Sequence, residues 1–158
     1  MIEKSFINKT EYDSDLHKVI FKLNEEQEYD NIFCMLKSDY GNIAVSYYDN
    51  NLPMNYYLYN EILFMSYGKS CVVLNLRKRI ILYHEIGATS LIYEILSIPS
   101  EKKVLMIGEI TFKCFGSEGK LIYNLECKEI ITDWEILENG IKISYYDNST
   151  EFIKIWSC

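Results

Sequence analysis

The fold class is decided by five short segments in which apolar and polar residues alternate: VLMIGEITFKC (Val104–Cys114), LIYNLEC (Leu121–Cys127), IITDWEIL (Ile130–Leu137), IKISY (Ile141–Tyr145) and FIKIW (Phe152–Trp156). A period of two is typical of β-strands that are buried on one face. Turn residues separate the segments, including Asn139-Gly140 and Asp147-Asn148-Ser149. Asn-Gly is a strong hairpin signal, so the sequence predicts a run of antiparallel hairpins.

We therefore predict one all-β, mainly antiparallel domain over residues 1–158, with at most one or two short helices. A two-sheet sandwich or a strongly twisted, partly closed sheet fits best, and a small propeller-like array is a less favoured arrangement of the same hairpins. Residues 1–16 are polar and mixed, and the first predicted strand is 17–23. Two segments, 54–66 and 89–98, fit a helix or a strand.

Composition limits the classes of partner. The 158 residues include 16 basic and 23 acidic side chains, a formal charge of −7. Nucleic acid and anionic membranes are poor partners for such a surface, whereas a basic protein would be attracted to it. The five cysteines are odd in number and form no CxxC pair, which favours a reducing compartment. No apolar run reaches the length of a membrane span, so we expect a cytoplasmic protein.

No motif in the sequence predicts catalysis, a metal site or a cofactor. The two histidines, His17 and His84, have no ligand partner at a metal-binding spacing. His84-Glu85 is an acid–base pair only in sequence, because neighbours along a strand point to opposite faces. The seven glycines are scattered singly and form no phosphate-binding loop. We therefore predict that the protein is not an enzyme.

Tyrosine is the most distinctive residue type. Six of the fourteen tyrosines fall between residues 40 and 59, and adjacent tyrosines on a strand face opposite ways. An exposed tyrosine favours a protein interface, whereas a cross-strand aromatic pair favours sheet stability, and both interpretations stay open. Four acids crowd the segment 24–31, which we predict to be a solvated loop near the tyrosines. The candidate partner-binding residues are Glu25, Glu26, Glu28, Asp30, Tyr40, Tyr47, Tyr48, Tyr56, Tyr57 and Tyr59.

A further pattern runs through residues 104–156: Gly108-Glu109-x-x-Phe112, Phe115-x-x-x-Gly119-x-Leu121-x-Tyr123, Ile130-Ile131-x-Asp133-Trp134-x-Ile136 and Ile141-x-Ile143, then an Asp-Asn hairpin. It resembles the small β-rich immunity proteins that accompany bacterial polymorphic toxins, including those of contact-dependent growth inhibition. The resemblance implies a cytoplasmic, non-catalytic protein that binds one cognate toxin and blocks it stoichiometrically. The resemblance identifies no specific binding residues in this sequence. The negative charge would suit a basic toxin such as a nuclease.

Two alternatives remain. A small-molecule-binding β-barrel or sandwich would need a cavity lined by some of the Tyr and Phe rings. A hydrolase would use His84 as its base.

Overall fold

The fold of the protein is given by a computed structural model, which describes residues 1–14, 18–25, 31–48, 51–88 and 90–155. Its strands form four sheets that follow one another along the chain. The structure confirms the predicted all-β, mainly antiparallel class, and it distributes the strands over four sheets where the sequence suggested two sheets or one partly closed sheet.

Sheet 1 contains the N-terminal strands in the order β1-β3-β4-β2. Its strands are β1 (Ile2–Phe6), β2 (Val19–Asn24), β3 (Asn31–Ser38) and β4 (Gly41–Tyr48). The β2–β4 pair is parallel, and the β1–β3 and β3–β4 pairs are antiparallel. The sequence analysis missed β1 and the helix after it, because neither segment has a clear apolar period.

Sheets 2, 3 and 4 are simple meanders in which each strand pairs with the next one along the chain. Sheet 2 contains β5 (Asn55–Tyr59), β6 (Ile62–Tyr67), β7 (Ser70–Asn75) and β8 (Ile80–Glu85). Sheet 3 contains β9 (Ile92–Ile98), β10 (Lys103–Gly108), β11 (Thr111–Gly116) and β12 (Leu121–Glu126). Sheet 4 contains β13 (Ile131–Leu137), β14 (Gly140–Tyr145) and β15 (Thr150–Lys154). The two ambiguous segments are therefore strands, in β5–β6 and in β9, and Thr89 lies outside the described residues.

Both turns predicted within sheet 4 are present. Leu137 pairs with Gly140 across the β13–β14 turn, as the Asn-Gly pair predicts. In the β14–β15 turn Asn148 has a φ of 66°, a conformation that Asn tolerates better than most residues. The Asp147 carboxylate accepts a hydrogen bond from the backbone N–H of Ser149 at 2.8 Å and fixes this turn.

Consecutive sheets pack face to face, and each contact has its own apolar core. Sheets 1 and 2 enclose the first core, which includes Leu36, Val45, Leu63 and Leu74. Sheets 2 and 3 enclose a second core around Phe64, Val73, Met106 and Phe115, and sheets 3 and 4 enclose a third around Leu105, Phe112, Ile141 and Ile143. The inner sheets are thus buried on both faces, which explains why β6, β7 and β11 are buried along their whole length.

The outer face of sheet 1 is covered by the short helix α1 (Lys9–Asp13). Asn8 and Glu11 form a capping box, in which the Asn8 side chain accepts from the Glu11 N–H and the Glu11 carboxylate accepts from the Asn8 N–H, both at 2.8 Å. Tyr12 packs its ring 5.2 Å from that of Phe33 and donates its hydroxyl to the carbonyl of Leu23 at 3.0 Å. A single 3-10 turn at Pro99–Glu101 links β9 to β10.

Candidate functional site

The structure corrects the predicted environment of Glu25. Its side chain is not in a solvated loop, because the residue is only 2% exposed. One carboxylate oxygen accepts from the N–H of Lys69 at 2.7 Å and from the hydroxyl of Ser70 at 3.4 Å, and the other accepts from the N–H of Tyr48 at 3.4 Å. Glu25 therefore joins the end of β2 in sheet 1 to the β6–β7 turn of sheet 2. The other three acids of that segment, Glu26, Glu28 and Asp30, lie outside the described residues.

Gly68 makes room for this carboxylate. Its φ of +54° lies in the left-handed region that favours glycine, and a Cβ at this position would collide with the Glu25 carboxylate. The tight turn Gly68–Lys69 thus presents its backbone N–H directly to a buried charge. Charge-assisted hydrogen bonds of this kind are stronger than neutral ones, so the contact is a structural clamp between two sheets.

The six clustered tyrosines do not form one surface. Tyr47 is buried at 2% exposure and Tyr48 is 39% exposed, as expected for neighbours on one strand. Tyr56 and Tyr40 pack against the first core, whereas Tyr57 and Tyr59 pack on the opposite side of sheet 2, against the second core. Burial makes Tyr47 unavailable to a partner. Tyr48 is the most exposed of these six tyrosines, and the remaining four are half-buried. Most of the cluster therefore serves sheet packing.

His84 and Glu85 face opposite sides of sheet 2, as the sequence predicts. His84 Nε2 lies 2.9 Å from the hydroxyl of Tyr67, on the side of the first core. Burial lowers the pKa of His84, so the imidazole is neutral at pH 7. Within the described ranges, no carboxylate is hydrogen-bonded to this imidazole. The other histidine, His17, lies outside the described residues.

Glu85 belongs to an ionic network between sheets 2 and 3. Its carboxylate lies 3.0 Å from the ammonium of Lys113, which is 2% exposed, and accepts the hydroxyl of Tyr83 at 2.7 Å. Lys113 also donates to the side-chain oxygen of Asn124 at 3.2 Å. Burial by itself raises the pKa of Glu85, but the hydrogen bonds from Tyr83 and Lys113 and the Lys113 charge outweigh it and lower that pKa. The network is internally satisfied, which indicates a structural role.

The thiols also indicate structure rather than reactivity. Cys34, Cys71 and Cys114 are buried and free. Burial raises the pKa of Cys71 to about 12 and that of Cys114 to about 11, so both are protonated at neutral pH. Cys158 lies outside the described residues. Within the described ranges, no three His, Cys, Asp or Glu side chains are grouped so that they could hold a metal ion.

The most distinctive exposed surface comprises sheet 4 and the segment that leads into it from Glu126, the last residue of β12. Seven acidic residues between 126 and 154 are exposed, against three lysines, a formal excess of four negative charges. Large apolar side chains are exposed among them: Tyr146 at 73%, Phe152 at 50%, Ile136 at 42% and Ile130 at 39%. The acidic residues are Glu126, Glu129, Asp133, Glu135, Glu138, Asp147 and Glu151. We refer to this set of acidic and apolar residues as the sheet-4 surface.

Strand pairing places part of this surface on one outer face. Ile131, Ile143 and Tyr145 point into the third core, so the alternate positions along β13 and β14 point outward. Glu135 pairs with Lys142, which pairs with Phe152, so these three side chains form a row across the outward face. The N–H of Tyr146 donates to the carbonyl of Ile130 at 2.9 Å and brings these two residues together at one end. Phe152 and the buried Ile153 are neighbours on β15 and therefore face opposite sides of the sheet. This alternation is the sequence signal that could have identified Phe152 as exposed.

A groove of about 340 Å³ lies within this surface, between the ends of sheets 3 and 4, and Glu126, Glu129, Asp147 and Glu151 are among the residues that line it. Leu125, Cys127 and Tyr145 form part of its wall. The Tyr145 hydroxyl lies 2.7 Å from a Glu151 carboxylate oxygen, to which it donates, and 3.6 Å from the Cys127 sulfur. Burial raises the pKa of the Cys127 thiol, and the nearby Tyr145 hydroxyl only partly opposes this shift.

A second groove of about 390 Å³ lies at one end of sheet 2, between the β5–β6 turn and β8. Ile80 and Leu82 of β8 line it, together with Glu118 of the β11–β12 turn. The neighbouring Ile81 is 48% exposed. Sheet 2 thus presents apolar side chains to solvent on its outermost strand.

No family model matches the chain, and no curated protein matches it. Among solved structures, BamB from Moraxella catarrhalis is 9% identical over 82% of this chain, with a TM-score of 0.45. The computationally designed Ika4 protein is 9% identical over 90% of this chain and 94% of its own, with a TM-score of 0.49. Kluyveromyces lactis Hsv2 is 12% identical over 60% of this chain, with a TM-score of 0.36.

The chain spans 42% of the BamB chain and 29% of the Hsv2 chain. These likenesses carry no argument about function, which therefore depends on the chain's own surfaces. The described part of the chain contains no helix long and apolar enough to cross a bilayer.

Proposed function

We propose that this protein is a cytoplasmic immunity protein that binds a cognate bacterial toxin domain and neutralises it stoichiometrically through the sheet-4 surface. The observation that carries the proposal is the combination of exposed Tyr146 and Phe152 with seven exposed carboxylates between residues 126 and 151. Sheet 4 lies within the residues, 104–156, that resemble immunity proteins. The proposal moves the contact surface away from the tyrosines of residues 40–59.

Charge supports a basic partner. The excess of four negative charges on the sheet-4 surface is more than half of the formal −7 of the whole chain. Such a concentrated field accelerates encounter with a cationic surface and suppresses binding of other acidic proteins. A toxin that acts on nucleic acid needs a basic site for phosphates. Carboxylates such as Asp133 and Glu135 would occupy the place of those phosphates.

The exposed rings supply the non-polar part of the contact. Aromatic side chains are enriched at the energetic centres of protein interfaces, where they become fully desolvated. Phe152 and Tyr146 project from a sheet whose inner face is anchored by Ile141, Ile143 and Ile153 in the third core. Phe152 stands on β15, and the N–H of Tyr146 in the β14–β15 turn is bonded to the carbonyl of Ile130, so little conformational entropy would be lost on binding.

The direct test uses the toxin domain encoded beside the gene for this protein. We expect co-expression to protect cells from that domain and the two purified proteins to bind at one-to-one stoichiometry by calorimetry. The double variant Asp133→Lys/Glu135→Lys should weaken binding on the order of 100-fold and lower the association rate most at low salt. The pair Phe152→Ala/Tyr146→Ala should act mainly on the dissociation rate.

A matched control reverses the same amount of charge elsewhere. Glu3 and Asp39 are exposed on sheet 1, so Glu3→Lys/Asp39→Lys should leave the affinity within about threefold. Equal losses for the two charge reversals would show that only net charge matters and would overturn the assignment to sheet 4. No protection and no binding would overturn the proposed function itself.

The groove between sheets 3 and 4 favours a second candidate function, the binding of a small molecule. Its volume is about 340 Å³, and its lining combines Leu125, Cys127 and Tyr145 with the carboxylates of Glu126, Glu129, Asp147 and Glu151. Such a lining suits a small ligand that is partly apolar and carries a positive charge. Native mass spectrometry of the protein purified from its own cells should then show a bound species that Leu125→Trp removes. A bare protein mass for the unmodified chain would dismiss this candidate.

A further inference from the structure

The outer strand of sheet 2 has an unusual composition for an edge. In the order β5-β6-β7-β8, strand β8 is the last strand, so one side of its backbone has no strand partner among the described residues. Its side chains Ile80, Ile81 and Leu82 are 45%, 48% and 38% exposed, and Ile86 just beyond it is 57% exposed. An exposed apolar edge of this kind is a template for pairing with another strand.

Four other edge strands carry exposed charges that oppose such pairing, and the uncharged edge strand β5 is half-buried along its whole length. Lys22 on β2, Glu126 on β12, Glu135 on β13 and Lys154 on β15 are all exposed. By contrast, no Asp, Glu, Lys or Arg occurs from Ile80 to His84, and burial keeps His84 neutral at pH 7 by lowering its pKa. Charges on edge strands are a common protection against association, and β8 has none over five residues.

We infer that β8 pairs with β8 of a second copy of this chain, in antiparallel orientation about a two-fold axis. The positive charges before its first residue favour this arrangement. The turn before β8 carries Arg77, which pairs with Glu61 at 3.1 Å, together with Lys78 and Arg79. At the other end of the strand, Glu85 already pairs with Lys113 at 3.0 Å, so that end adds no net charge. Antiparallel pairing keeps the basic turns of the two copies at opposite ends of the paired strands.

The alternative orientation is unfavourable. Parallel pairing would place the two basic turns side by side, whereas antiparallel pairing separates them by about 20 Å, the length of six extended residues. A two-fold contact also occupies the free edge of β8 in both copies. No β8 edge then remains for a third chain, so the assembly closes at two chains. The pair joins two four-stranded sheets into one sheet of eight strands and buries Ile80, Ile81 and Leu82 of both copies. This surface is separate from the sheet-4 surface, so the inference does not depend on the proposed function.

Sedimentation equilibrium of the purified full chain tests the inference. We expect a dimer at about 50 μM and dissociation to monomers on dilution. Ile81→Lys should weaken dimerisation on the order of 100-fold or more, because the two-fold axis introduces two charges and removes two apolar contacts at once. The control is Ile122→Lys, which puts the same charge at an isoleucine of β12 that is 52% exposed, and it should leave the dimer intact.

A second measurement does not depend on variants. The backbone amides of β8 should exchange with deuterium more slowly at 50 μM than at 0.5 μM, while those of β12 should be unaffected by concentration. A wild-type chain that stays monomeric at about 100 μM would overturn the inference. A dimer that Ile122→Lys disrupts as strongly as Ile81→Lys, with both variants folded by circular dichroism, would also overturn it.

Discussion

Replacement of Glu25 by alanine should destabilise the protein by about 2–4 kcal/mol. The variant removes an acceptor that is 2% exposed and serves the N–H groups of Lys69 and Tyr48 and the hydroxyl of Ser70. Leaving buried donors without a partner costs about 1–3 kcal/mol each, and the space left by the side chain adds to this cost. Relief from burying the carboxylate offsets part of the loss, which sets the upper limit of the range.

Urea denaturation followed by tryptophan fluorescence measures this change, and a thermal melt should show a lower Tm by about 5–15 °C. Glu25→Gln is the matched control, because its amide oxygen can still accept the 2.7 Å bond from Lys69. We expect it to cost about half as much as alanine. The exposed Glu3 provides a second control, since Glu3→Ala should change stability by less than about 0.5 kcal/mol.

A different pattern would refute the reasoning. If Glu25→Ala kept the stability of the wild-type protein but weakened toxin binding, Glu25 would be a contact residue, as the sequence first suggested. The role of Glu25 as a structural clamp between sheets 1 and 2 would then be wrong. Stability and binding must therefore be measured on the same variants.

Three further outcomes follow from buried groups. Phe115→Ala should cost about 3–5 kcal/mol in urea denaturation, because the fully buried ring lies 5.9 Å from that of Phe64 and 5.2 Å from that of Tyr83. The pKa of Glu85 is lowered from its ordinary 4.5, so the unfolded state binds the proton more tightly. The free energy of unfolding of the wild-type protein should therefore fall as the pH drops below about 4.5. The difference between the urea midpoints of the wild-type protein and Glu85→Gln should become smaller in the same pH range. His84 also has a lowered pKa, so stability should decline as the pH falls below its ordinary 6.5, and His84→Gln should lose that slope in the same measurement.

Local patterns in the sequence predicted much of the fold. The Asn139-Gly140 turn and the alternation around it correctly predict β13 and β14, because turn chemistry and a period of two depend only on neighbouring residues. The segment 89–98 was ambiguous for the same reason. Leu91, Ile92, Ile95 and Leu96 fit a helical face, but pairing of β9 with β10 makes residues 92–98 a strand.

The candidate site could not be predicted in the same way. Glu25 resembles a residue of a solvated acidic loop until the β6–β7 turn, more than forty residues later, supplies its hydrogen-bond donors. Tyr47 and Tyr57 resemble surface tyrosines until sheets pack on both sides of sheet 2. Similarly, Phe152 is indistinguishable by composition from a core residue. Its exposure depends on the orientation of β15 within sheet 4.

The order of the sheets also has a consequence for synthesis on the ribosome. Each sheet is encoded by one uninterrupted segment, and the four segments end at residues 48, 85, 126 and 154. A nascent chain that has emerged as far as Glu85 already contains both layers that enclose the first core and the donors that satisfy Glu25. Translation proceeds at about 5–20 residues per second, which is slow compared with hairpin formation. The protein can therefore assemble layer by layer from its N-terminus, so that each new meander docks on one that has already formed.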